Sequence, residues 1–209
     1  MTVSRRAVLT GAAALALAGP AAAADRLVPA KKLFPYLDAY LRLPPAKRSR
    51  FVPTYILAKD RPAGLWIVGG AQRIALPIAA DGKVLRLPTA AQWETAQIQV
   101  SGPEGAKYGI SMQLEALAPL ATEFDAAGLA TSIAQANEGI RSAMGIAGLM
   151  APKTERVAFK GVAAGDAVFP DGRSVLLPVV DGLPSYAPAK LPGVRKLRFA
   201  TAPTGLLLD

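Results

Sequence analysis

The chain has 209 residues, 24 basic against 15 acidic, a formal net charge of +9, and neither cysteine nor histidine. That length suffices for one domain or two small ones that bury about 70% of the unfolded surface without a disulfide or metal staple. Without imidazole or thiol, Ser-His-Asp and Cys-His catalysis, His-ligated haem, ordinary zinc sites and disulfide exchange are excluded; only oxygen-ligated metals such as calcium or magnesium remain open, and no cofactor is expected.

Near its start the chain carries Ser4, Arg5, Arg6, Ala7, Val8 and Leu9; the segment runs on through Ala, Gly and Leu, breaks at Gly19-Pro20 and ends in Ala22, Ala23 and Ala24. The apolar part is shorter than the ~20 residues that span a bilayer. Paired arginines before a moderately apolar run and an Ala-x-Ala site resemble the twin-arginine (Tat) signal peptide, with Thr10 where the pattern often has Lys. The resemblance covers residues 1–24. It implies export of a folded protein to the periplasm or beyond, with a mature chain starting at Asp25 and carrying a net charge of +7 once two arginines are removed.

From Lys31 to Leu43, Leu33, Phe34, Leu37, Tyr40 and Leu41 recur at helical spacing, which predicts a short helix that Pro44-Pro45 ends. The middle of the chain reads as antiparallel strands: Thr54–Ala58, Gly64–Val68, Gln72–Ile78 and Val84–Leu87, with turns at Gly69-Gly70 and Asp81-Gly82. Strict alternation over Gln97–Ser101 and Lys107–Glu115 predicts two half-buried strands, joined as a hairpin across Gly102-Pro103-Glu104-Gly105.

Thr122 and Asp125 have capping-box spacing, and Leu129, Ile133, Ala136, Ile140 and Met144 form one apolar stripe, so a long helix is expected near residues 122–150, before Pro152. Gly128, Gly139, Gly145 and Gly148 each cost it roughly 1 kcal/mol relative to Ala, so packing must hold it. Strands return at Arg156–Lys160, Ala167–Phe169, Ser174–Val180 and Arg195–Ala200, separated by turns at Asp171-Gly172, Asp181-Gly182 and Pro192-Gly193. Gly70–Gly82 and Gly172–Gly182 share a Gly, a Leu-Pro-aliphatic triplet and an Asp-Gly turn. This echo fits a duplicated β-hairpin unit, and it also fits chance recurrence of common turn sequences.

No phosphate-binding glycine loop, nucleophile elbow or Ser-x-x-Lys pair occurs. Carboxylates are what remains for catalysis, with Asp60, Asp81, Glu94, Glu104 and Glu115 in or beside the strand region. The best binding candidate is the basic, aromatic segment from Lys31 to Phe51, where Lys31, Lys32, Arg42, Lys47, Arg48 and Arg50 face only Asp38 beside Phe34, Tyr36, Tyr40 and Phe51. Such a surface suits an anionic envelope component, or another envelope protein, better than nucleic acid. A second basic group, Lys190, Arg195, Lys196 and Arg198, reads as an exposed strand edge.

The expectation is therefore an α+β fold, mostly antiparallel sheet or a small sandwich over residues 25–209, with a short N-terminal helix, one long helix and no transmembrane span in the mature chain. A two-lobe arrangement with the long helix between the lobes is the alternative. The expected function is non-catalytic binding of an anionic envelope surface or a protein partner. The rivals are a cofactor-free hydrolase or lyase with paired carboxylates, and a small-ligand carrier with a dry pocket lined by Trp66, Trp93, Tyr108 and Met112.

Overall fold

The computed structural model describes residues 23–59, 62–69, 72–144 and 153–209. Residues 1–22, Asp60, Gly70, Gly145, Gly148 and Pro152 lie outside them. The described chain is α+β and mostly antiparallel. Its first half runs β1 (Ala23–Pro29), α1 (Ala30–Leu33), α2 (Leu37–Arg42), a 3-10 turn (Pro45–Arg48), β2 (Phe51–Lys59), β3 (Gly64–Gly69), β4 (Gln72–Ala75), α3 (Ala90–Thr95), β5 (Gln97–Pro103) and β6 (Tyr108–Ala116). The second runs β7 (Glu123–Asp125), α4 (Ala126–Met144), β8 (Val157–Lys160), β9 (Asp166–Val168), β10 (Ser174–Leu176), β11 (Val179–Val180), β12 (Leu183–Tyr186), β13 (Lys196–Arg198) and β14 (Gly205–Leu208).

The two halves repeat one strand topology. The first holds a sheet ordered β1-β5-β3-β4 and the second a sheet ordered β7-β13-β9-β10. The remaining strands form one shared sheet, β11-β12-β8-β14-β6-β2, in which β6 pairs with β14 across the middle. At its ends β2 bridges Lys83 as β8 pairs with β12. The sequence echo falls on matching geometry. Leu76 N donates to the Leu65 carbonyl at 2.9 Å and Leu177 N to that of Gly165 at 2.8 Å; Ile78 pairs with Val84 as Val179 pairs with Pro184. Gly82 and Gly182 both take positive φ, +88° and +79°, which a tight turn needs and glycine adopts without steric cost.

Laid over each other by these pairings, Ala30, Leu33 and Leu37 correspond to Ala126, Leu129 and Ile133, Tyr55 to Phe159, and Ile98 to Leu197, all of them buried. Leu114 corresponds to Leu208, and these two residues face each other directly across the β6–β14 junction. A pseudo-two-fold axis therefore passes between them. Each half has its own apolar core, one around Phe34, Tyr55, Leu65 and Ile98, the other around Phe124, Phe159, Leu197 and Phe199. The long helix α4 packs against α2, the 3-10 turn, β2 and β6 of the first half and so lies between the two. Gly139 makes this possible: a Cβ there would sit 2.6 Å from Phe51 Cζ.

Several expectations need correction. The alternating segments do not form a hairpin with each other, because both edges of β5 are taken by β1 and β3 while β6 pairs with β2 and β14. The helix expected over Lys31–Leu43 is two, broken where the Tyr55 hydroxyl donates to the Pro35 carbonyl at 2.6 Å and Tyr36 turns to φ +61°. Burial pushes that Tyr55 hydroxyl well above the ordinary tyrosine range, with Asp38 adding to the shift. Asp125 alone caps α4, its carboxylate accepting from Gly128 N at 2.7 Å, while Thr122 accepts through its carbonyl from Phe199 N at 2.8 Å. Leu177-Pro178 splits the expected Ser174–Val180 strand into β10 and β11. Lys196 and Arg198 do not edge a sheet: β13 lies between β9 and β7, and both side chains bind Glu123 on β7. Their hydrogen bonds hold the Glu123 carboxyl below the usual glutamate range.

Two substitutions test this packing. Phe199→Ala removes a ring that is 4% exposed and centred 4.5 Å from Phe159; urea unfolding is expected to show a loss of about 3–5 kcal/mol. Asp125→Ala removes only the cap and is expected to lose about 1 kcal/mol in the same assay.

Candidate anion-binding cavity in the first half

The six basic residues singled out in the sequence do not form one patch. Lys31 and Lys32 are exposed neighbours on α1, yet they border different cavities. Arg42 pairs with Asp38 at 2.9 Å and Lys47 with Glu138 at 2.7 Å; the latter pair holds the Glu138 carboxyl below its ordinary range. Arg48 donates to the Leu43 carbonyl at 3.0 Å with its guanidinium 5.3 Å from the Tyr40 ring centroid. Arg50 N donates to Gln135 Oε1 at 3.0 Å. The Lys47 side chain and the Arg50 backbone N–H thus help seat the 3-10 turn and the start of β2 against α4, while Arg48 braces the end of α2.

The aromatics proposed for a single dry pocket are also dispersed. Trp66 lies under the Arg73 guanidinium at 4.0 Å, Trp93 lines a polar cleft beside α3, and Met112 lines a small apolar cleft between α2 and α4. Tyr108 alone borders the cavity described next. The polar cleft, of about 580 Å³, is lined by Glu94 of α3 together with Lys31 of α1 and with Asp38 and Arg42 of α2. Elsewhere Glu115 pairs with Lys83 at 2.5 Å, Asp81 accepts from Lys83 N at 3.0 Å, and Glu104 is exposed in the β5–β6 connection. Among the described residues no three acidic side chains gather to hold a metal ion.

A third cavity, of about 350 Å³, opens between α1, the β1-β5-β3 sheet and the β2–β6 pair. Its walls are Val28, Leu33, Leu57, Leu65, Val100 and Ile110, and Arg26, Lys32 and Lys107 stand around it, with no carboxylate in the lining among the described residues. Arg26, Lys32 and Lys107 are all exposed, and Arg26 also donates to the Ala106 carbonyl at 3.3 Å. The adjoining carboxylate, Asp25, is occupied by Ser101 Oγ and by Gln99 Nε2 at 2.5 Å. Tyr108 forms part of the wall; its buried hydroxyl has no hydrogen-bond partner among the described residues.

Comparison of the halves shows why the space exists. Val28 and Val100 correspond to Phe124 and Phe199, and Leu65 to Gly165. In the second half, Phe199 lies over Gly165, where a Cβ would be 2.3 Å from the ring, and packs edge-to-face on Phe124 at 5.9 Å and tilted against Phe159 at 4.5 Å between centroids. Aromatic rings fill that core, whereas two valines leave its counterpart hollow. The cations are likewise confined to the first half, since Arg26 and Lys32 correspond to Thr122 and Gly128.

Reading the sequence located Lys32 but not its companions. Arg26 lies just before the basic segment and Lys107 some 75 residues beyond Lys32, so only strand pairing brings them together. The chain matches no family model, no curated protein and no solved structure. Among the described residues no helix is long and apolar enough to cross a membrane.

Gly102 is the lever on this wall, because a Cβ there would come 1.9 Å from the Tyr108 hydroxyl oxygen. Gly102→Ala is expected to displace the Tyr108 ring and cost about 1–3 kcal/mol as overpacking. The change is read from the Tyr108 ring resonances and the thermal midpoint.

Proposed function

We propose that the protein is a non-catalytic, exported envelope protein that binds an anionic component of the envelope through the cation-rimmed cavity of its first half. The observation that supports this best is the asymmetry between the halves: at matching places in one repeated topology, one half is closed by phenylalanines and the other is open, apolar inside and positively charged outside. Three cations around an opening attract and orient an anion, and the low-dielectric wall behind them strengthens that attraction. The Ser4-Arg5-Arg6 start and the Ala22–Ala24 run support the export part of the reading.

A second reading, a cofactor-free hydrolase or lyase, draws on Asp38 and Glu94 sharing the polar cleft. Asp38 is already bound to Arg42, and its side chain is 39% exposed. Glu94 is exposed, so neither carboxylate has the dry, unpaired setting that suits a carboxyl to general-acid work.

Co-sedimentation with anionic and neutral vesicles at low and physiological salt tests the binding reading. Binding to the anionic vesicles should weaken with salt. Replacing Arg26, Lys32 and Lys107 by Gln should weaken it about a hundredfold, at about 1 kcal/mol per cation near an anionic surface. Replacing Lys47, Arg48 and Arg50 should leave it nearly unchanged. The opposite ranking of the two triple variants would move the site to the 3-10 turn.

A further inference from the structure

We infer that the first-half cavity takes the aliphatic chain of a single-chain anionic amphiphile, with the charged head held by Arg26, Lys32 and Lys107. The inference rests on the anion-binding reading above and names its ligand class. Binding of an anion by its charge alone gives no use for the apolar wall behind the cations. Val28, Leu33, Leu57, Leu65, Val100 and Ile110 offer no charged group to a second polar moiety. A fully hydrophilic anion would leave that wall against trapped water, whereas methylenes would cover it.

The repeat shows what kind of matter belongs there. In the second half the matching volume is occupied by the side chains of Phe124 and Phe199, which are 6% and 4% exposed. That volume is core in one half, and in the other it is core-like space reached through a charged opening. An acyl chain entering it would complete the first half as the rings complete the second.

The probes are acetate, octanoate, dodecanoate, dodecyl phosphate and methyl dodecanoate, titrated calorimetrically into the full-length protein below their micelle concentrations. Dodecanoate and dodecyl phosphate should both bind, affinity should rise roughly fourfold per methylene until the cavity is full, and the methyl ester should bind far more weakly. Leu65→Gly with Val100→Phe installs the second half's Gly165/Phe199 pair and should abolish the dependence on chain length while the thermal midpoint holds. Should that variant not fold, the unaltered protein still decides. Dodecanoate should shift the methyl resonances of Val28, Leu65 and Val100 and leave those of Val157 and Leu206 in place.

Acetate binding as tightly as dodecanoate, or unmoved Val28 and Val100 methyls, would overturn the chain-binding claim. If vesicles still bound in a salt-sensitive manner, the anion-binding reading would survive that failure. Absence of binding to vesicles and amphiphiles alike would end both. Binding of dodecyl phosphate without binding of dodecanoate would restrict the ligand to phosphate-headed lipids, and salt-sensitive capture of dodecyl phosphate in vesicles but not as free monomer would overturn the cavity as the chain's seat.

Discussion

Everything else in the fold hangs on the backbone pairing of β6 with β14. Leu114 opposite Leu208 and Glu115 opposite Leu207 are the contacts through which the β2–β6 pair of the first half and the four strands β8, β11, β12 and β14 of the second become one six-stranded sheet. Without that ladder each half would expose a strand edge, a row of unpaired N–H and C=O groups open to aggregation. Joining the edges about a pseudo-two-fold axis resolves the problem for both at once. It also braces the second half, whose strands β9, β10, β11 and β13 have only two or three residues each.

Once the scaffold is repeated, differences between its copies carry information. The helix after β1 is broken at Pro35, and the helix after β7 runs uninterrupted for 19 residues and crosses onto the neighbouring half. The core of the second half closes on the Phe124–Phe159–Phe199 cluster; in the first, Tyr55 keeps the place of Phe159, while Val28 and Val100 stand where the other two rings would be and line open space. Loss of packing on this scale lowers stability unless something fills it. The packed half and the shared sheet supply the rigidity that lets the other half remain open, and this division gives the cavity its functional reading.

Much of the architecture was legible in the residues. Alternation identified β5 and β6, Asp-Gly turns located the hairpins, and Leu129, Ile133 and Ala136 marked the buried face of α4. Alternation says which face of a strand is dry but not which strand lies beside it, so β5 and β6 were joined although they belong to different sheets. The helix breaks at Pro35, which lacks the N–H that would continue the ladder and which the apolar spacing of its neighbours masks, and the Tyr55 hydroxyl takes up the Pro35 carbonyl. Strands β7, β12 and β14 are three or four residues long, too short for period-two alternation to register. The basic segment reads as one patch because its charges are close in sequence; in space Lys47 pairs with Glu138 of α4, Arg42 with Asp38, Arg48 bonds the Leu43 carbonyl, and Lys32 stands with Arg26 and Lys107 at the cavity. The useful signal was the echo between residues 70–82 and 172–182, which, extended by strand register, sets Val100 against Phe199.

The most direct test is a crystal structure of the protein with a bromine-tagged dodecanoate, located by the anomalous signal of the halogen. The account predicts the bromine peak among Val28, Leu65 and Val100 and the carboxylate within reach of Arg26 and Lys32, with the second-half phenylalanines unmoved. A bromine peak in the cleft between α2 and α4, or first-half side chains collapsed into the cavity with no ligand bound, would contradict it.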